Sequence, residues 1–134
     1  MKIILKLLIV LVSLTVITAW TYNLNLDTTF RGGDATNMID EFEAYGLNYT
    51  TMVVVGIFKV ACALMLLFGL KYKKLILPAS GVMTLFMIAA VYFHISISDP
   101  IVPTLPAWLM LLSCISIIYL DKRCTLMIGF LPIA

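Results

Sequence analysis

The sequence predicts an all-α protein, a polytopic membrane bundle of four helices, and three observations carry that prediction. Apolar and aromatic side chains make up 63% of the 134 residues and charged ones only 12%, against roughly 45–50% and 25% in a soluble domain. Mean hydropathy is +1.10, and a soluble fold of this length cannot hide so much apolar surface, because small domains bury only about two-thirds of what the unfolded chain exposes. Finally, four segments reach or approach the roughly 20 apolar residues that a helix needs to cross a hydrocarbon core about 30 Å thick. The same composition excludes disorder. A net charge of +2 leaves no electrostatic footprint for nucleic acid, and three cysteines are too few for a disulfide scaffold.

The first span is placed at residues 3–22, interrupted only by Lys6 and small hydroxyls. Its apolar run exceeds the usual 7–15 residues of a signal peptide, and Ile17-Thr18-Ala19 is a poor small-x-small cleavage site, so a retained helix is expected. The second span covers residues 50–70 with one charge, Lys59, and the third covers residues 75–95 with His94 near its end. The fourth, residues 104–120, is the shortest, with Thr104 as its N-cap and Pro106 in its first turn. Together they predict one bundle over residues 1–123, with no second domain, repeat or low-complexity tract. An apolar tail, residues 124–134, is too short to span.

Charge sets the expected orientation. Lys2, Lys6, Lys71, Lys73, Lys74, Lys122 and Arg123 fall on one side of an even-span topology, whereas the other side has Arg31 among Asp27, Asp34, Asp40, Glu41, Glu43 and Asp99. The positive-inside rule then makes both termini cytoplasmic. Tyr22, Tyr45, Tyr49, Tyr92 and Trp108 fall near the outer boundary, as an aromatic belt would. The outer loop, residues 23–49, is expected to hold a short amphipathic helix between spans 1 and 2. It would start near Asp34-Ala35-Thr36 and stop at Gly46, with Met38, Ile39, Phe42 and Tyr45 on its apolar side and Asp40, Glu41 and Glu43 opposite. It would lie on the bundle or at the headgroups, cap a cavity, or dock a periplasmic partner.

Few side chains in the spans carry chemistry. Lys59 lies about nine residues, roughly 13 Å, below the outer end of its helix, and an ionised group at that depth costs several kcal/mol unless paired or hydrated. Its neighbours at helical spacing, Gly56 and Ala63, with Cys62 beside it, are small, which marks a face where helices approach closely. His94 on the antiparallel third span is expected to share a polar pocket with Lys59, with Asp99 or a loop carboxylate as counter-ion and Cys62 alongside. The plainer alternatives are a Lys59 that snorkels to the interface and a His94 bonded to a loop carbonyl. Thr15, Thr18, Ser113, Cys114 and Ser116 either line the pocket or bond along their own helices. One histidine without a Cys or carboxylate cluster predicts no metal site, and no CxxC pair, phosphate loop, nucleophile elbow or HExxH occurs.

Gly56-Ile-Phe-Lys59, the apolar run to Gly69-Leu70, the basic turn, a span ending in His94 and Asp99-Pro100 after it resemble the DoxX-like membrane proteins over about residues 50–120. The resemblance implies a four-helix inner-membrane bundle. It also implies association with redox or stress complexes, the founding members accompanying a thiosulfate:quinone oxidoreductase. Many members have Glu where this chain has Lys59. The leading expectation is an accessory membrane protein that binds a quinone or lipid-like amphiphile beside Lys59 and His94, with no intrinsic cofactor, or docks a periplasmic or membrane redox partner. A quinone ring suits an apolar cavity with a few donors for its carbonyls. Two other readings stay open. One is a quinone-linked oxidoreductase subunit fed with electrons by a partner, so that enzymatic activity is undecided. The other is a small-solute or lipid transporter, which four unbroken spans would form only as a homo-oligomer.

Overall fold

The computed structural model describes residues 2–129. Helix α1 spans Lys2–Trp20, α2 Met38–Ala44, α3 Tyr49–Gly69, α4 Ile76–Ser96 and α5 Ile101–Gly129, with a single 3₁₀ turn, Lys73–Leu75, before α4. No strand occurs among the described residues. The four long helices are each apolar and long enough to cross a membrane. Their apolar residues run all round the cylinder: Ile57, Leu85 and Ile101 are 63%, 66% and 81% exposed. That is the pattern of helices solvated by lipid, where a soluble bundle would show one apolar stripe.

Packing follows the order α1–α3–α4–α5 and closes back onto α1. Small residues let the helices meet: Ala63, Ala79, Ser13, Ser80 and Cys114 are essentially inaccessible, and around them pack Ile9, Val12, Leu66, Met83 and Ile117. The long helices alternate in direction along the chain, which gives the bundle two ends. The lysine end holds the start of α1, the α3–α4 turn and the end of α5. The loop end holds α2 and the α4–α5 turn.

Local chemistry explains where the helices stop. Asn37 and Asn48 cap α2 and α3, their side chains accepting from Asp40 N and Thr51 N at 2.9 and 2.8 Å. Helix α2 ends with Gly46 at φ +78°, where Leu47 N bonds Phe42 O and Gly46 N bonds Glu43 O, both at 2.9 Å. This is a Schellman closure at the glycine the sequence marks as the stop.

Three boundaries differ from expectation. Helix α2 starts after Asn37, not at Asp34-Ala35-Thr36, because Asn37 alone supplies the cap. Helix α5 begins at Ile101, and Thr104 is no N-cap: its hydroxyl donates back to Pro100 O at 2.9 Å from inside the first turn. At its other end α5 continues past Leu120 to Gly129, so residues 124–129 of the expected tail extend the helix. Nothing there breaks it, since Asp121, Lys122 and Arg123 are compatible with helix and no Gly or Pro lies between Leu120 and Gly129. The rest of that tail, residues 130–134, lies outside the described residues.

A roofed cavity at the loop end of the bundle

A cavity of about 650 Å³ occupies the loop half of the bundle. Its walls are largely apolar, with Leu14, Val55, Phe86, Met87 and Met110 contributed by all four long helices, and its roof is the segment from Asn23 to Leu47. Lys59 and His94 both line it, so the two residues singled out from the sequence face one space. Asp99 and Cys62 do not. Asp99 stands behind His94, and Cys62 is buried in the helix core. Thr15 and Thr18 line the cavity, whereas Ser113 and Ser116 bond back to Leu109 O and Leu112 O, and Cys114 lies in the core.

Lys59 is held inside the bundle by Trp20. Its Nζ lies 5.4 Å from the centroid of the indole, a cation–π contact. Gly56, one turn earlier on α3, makes room for that ring: a Cβ there would stand 2.6 and 2.8 Å from Trp20 Cε3 and Cζ3. Phe42 of α2 meets the same indole edge-on, with centroids 5.7 Å apart. Among the described residues the amine has neither a carboxylate within ion-pair distance nor a hydrogen-bond acceptor. The lysine therefore neither snorkels away nor salt-bridges, and presents its donors to the cavity.

His94 is oriented from the other side. After α4 the chain closes in a second Schellman turn, with Asp99 N bonding His94 O and Ser98 N bonding Ile95 O, both at 3.0 Å. Ser98 takes the left-handed position at φ 57°, a conformation mildly unfavourable for a residue with a Cβ. The turn folds Asp99 back over the histidine it follows, and Asp99 Oδ2 lies 2.6 Å from His94 Nδ1. The other carboxylate oxygen accepts from Gly33 N at 2.8 Å, tying roof to bundle. A carboxylate only accepts, so Nδ1 carries the proton shared with Asp99.

The roof has its own buried ion pair. Arg31 Nη1 and Glu41 Oε2 are 2.9 Å apart, with side chains only 6% and 10% exposed. Arg31 also donates to the carbonyls of Asn23, Leu24 and Leu26, and so knits the irregular segment before α2 into one piece. Glu41 Oε1 accepts from Gly32 N at 3.0 Å and from Tyr45 Oη at 2.9 Å. Tyr45 Oη in turn lies 3.2 Å from His94 Nε2 and 3.3 Å from Nδ1, straddling the two. Arg31, Glu41, Tyr45, His94 and Asp99 thus stand in one row, Tyr45 giving its proton to Glu41 and His94 Nδ1 sharing its proton with Asp99. Burial, and then the adjacent Glu41 carboxylate, push the Tyr45 phenol far above its ordinary value, so it stays a neutral donor.

Arg31, Glu41, Tyr45 and Trp20 are the site residues that sequence reasoning missed. Helical spacing alone put Glu41 on the polar side of α2 and Ile39 on the apolar one; the structure buries Glu41 and leaves Ile39 37% exposed. The reason is Arg31, which needs a counter-charge where it is buried. One signal was available, since Arg31 is the only basic residue in an acidic loop and is followed by Gly32-Gly33. No cluster of three His, Cys, Asp or Glu side chains able to hold a metal occurs among the described residues.

A model of the DoxX-like family matches residues 26–116, more than half of the chain. The matched stretch contains most of the roof, Lys59, His94 and Asp99, and it omits α1 with Trp20. Neither the curated proteins nor the solved structures gave a match.

Proposed function

The chain belongs to the DoxX-like family, and from that premise and the cavity we propose that it binds a membrane amphiphile. Its ligand carries acceptor oxygens on a compact head, as a quinone or a lipid headgroup does. The observation that carries this reading is the Lys59 amine, which faces an apolar cavity with no protein acceptor among the described residues. An ammonium has three donors and no acceptor, and leaving it unmatched in an apolar space is costly. A carbonyl or phosphate oxygen matches it. His94, aligned by Asp99, offers the second polar contact. Leu14 lines the cavity and is 53% exposed, which supports entry from the lipid. In this reading the lysine end is cytoplasmic by the positive-inside rule and the roof faces the opposite compartment of an inner membrane. The protein acts as an accessory binding unit.

Trp20 supplies the assay. In nanodiscs, with Trp108 replaced by Phe so that Trp20 is the one remaining indole, a short-chain benzoquinone quenches emission saturably if it occupies the cavity. A non-quenching lysophospholipid that displaces the quinone identifies the headgroup alternative. Lys59→Met removes a charge-assisted hydrogen bond worth about 1.5–3 kcal/mol, so affinity for the occupying probe falls roughly 10- to 100-fold while circular dichroism is unchanged. Unaltered affinity in Lys59→Met, or no saturable response to either probe, rejects the proposal.

A further inference from the structure

A second cavity, about 660 Å³, opens at the lysine end, where α1 starts, α3 turns into α4 and α5 ends. Lys2, Lys6, Lys73 and Lys74 line it together with a single carboxylate, Asp121. Among the described residues none of these lysines forms an ion pair, with Asp121 or with any other acid. The remaining wall is largely apolar, with Leu5, Ile9, Leu77 and Ile128 contributed by three helices.

This gathering is more than the usual excess of lysine beside a membrane. Seven basic residues sit at this end, and the other three do not line the cavity. The Lys71 amine lies over its neighbour Tyr72, 5.3 Å from the ring centroid. Arg123 lies over Tyr119 and donates to its hydroxyl at 3.0 Å. Gly69 brings the lysine-bearing turn against the bundle, since a Cβ there would come 2.7 Å from Ile76 Cγ1. Four cations against one anion, above an apolar wall, match a ligand with an anionic head and a hydrocarbon body. A free phosphate uses only the rim and leaves the wall empty.

We infer that this cavity seats the phosphate of an anionic phospholipid drawn from the surrounding bilayer, with its acyl chains against the apolar wall. Ammonium groups bind such a phosphate as point charges. The site is separate from the cavity at the loop end and does not depend on what that cavity binds.

The test compares two variants that lose equal charge. The full chain is reconstituted in phosphatidylcholine nanodiscs with a minor share of phosphatidylglycerol, and native mass spectrometry counts the phosphatidylglycerol retained after detergent exchange. Lys6→Gln with Lys73→Gln lowers apparent affinity roughly 30-fold, from the contribution of two lysines near a charged surface. Lys71→Gln with Lys122→Gln leaves retention near wild type. Equal loss in the two pairs overturns the site, because general surface charge then accounts for binding. Displacement by millimolar inorganic phosphate at unchanged ionic strength overturns the lipid assignment. Should the first pair fail to fold, the wild type decides: higher thermal stability in phosphatidylglycerol than in pure phosphatidylcholine supports the inference, and no difference overturns it. Phosphatidylglycerol lost in Lys59→Met but kept in Lys6→Gln with Lys73→Gln belongs to the loop-end cavity, which keeps the two cavities experimentally distinct.

Discussion

Replacing Glu41 by Gln is the most informative perturbation of the roof. Wild-type Glu41 holds Arg31 at 2.9 Å in a site where both side chains are at most 10% exposed. Losing one partner of such a pair costs about 3–5 kcal/mol, mainly because the other charge is stranded. Arg31 keeps the carbonyls of Asn23, Leu24 and Leu26, and a glutamine oxygen still accepts from Gly32 N, so the lower end, about 3 kcal/mol, applies. If opening of the roof is the unit that feels this loss, its amides exchange roughly 100-fold faster, whereas α1 and α3 exchange as before. Hydrogen–deuterium exchange by mass spectrometry in nanodiscs measures both. Glu43→Gln, on the exposed side of α2, is the matched control. Removing both charges, with Arg31→Met and Glu41→Leu, destabilises less than Glu41→Gln alone, since a buried ion pair exchanged for apolar residues is often neutral. Equal roof protection in the Glu41→Gln and Glu43→Gln proteins would refute the assignment of this pair as the roof's fastener.

Gly56→Ala forces a Cβ into the indole of Trp20, which is also backed by Phe42, and overpacking of this kind costs about 1–3 kcal/mol. A lower unfolding midpoint and shifted Trp20 emission are expected, whereas Gly81→Ala, with nothing within 4 Å of the new Cβ, leaves both unchanged. Asp99→Asn keeps an oxygen for Gly33 N and so turns its amide N–H toward His94 Nδ1. The proton then moves to Nε2, and ¹⁵N NMR of the chain's single histidine reports the change from the Nδ1–H to the Nε2–H tautomer. Unchanged ring shifts would show that Asp99 does not set the tautomer.

Much of the architecture was legible because lipid imposes a length and a polarity that can be counted along a chain. The second and third spans fall within one residue of α3 and α4. Gly46 was legible as a stop because a left-handed C′ position favours glycine. Boundaries failed where the deciding partner lay nearby but was not unique. Asn37 and Thr36 are both capping residues, and Thr104 satisfied its hydroxyl within its own helix instead of capping it. Within the site, Lys59 and His94 stood out because ionisable groups are rare in spans. Glu41 did not, because an acid on a loop helix is ordinary until its partner is known.

Composition and periodicity alone determined that this chain has four segments long and apolar enough to cross a membrane, that most of its basic residues gather at one end and that Lys59 lies deep within one such segment. Each of these follows from transfer free energies that act residue by residue. Only the tertiary structure decided that Trp20 caps Lys59 through the gap at Gly56, that Asp99 curls back onto His94, and that Arg31 draws Glu41 inward to close the roof. Those arrangements depend on which buried charges and rings come within contact distance. That distance is set by the packing of segments remote in sequence, where a few ångströms separate an ion pair from a stranded charge.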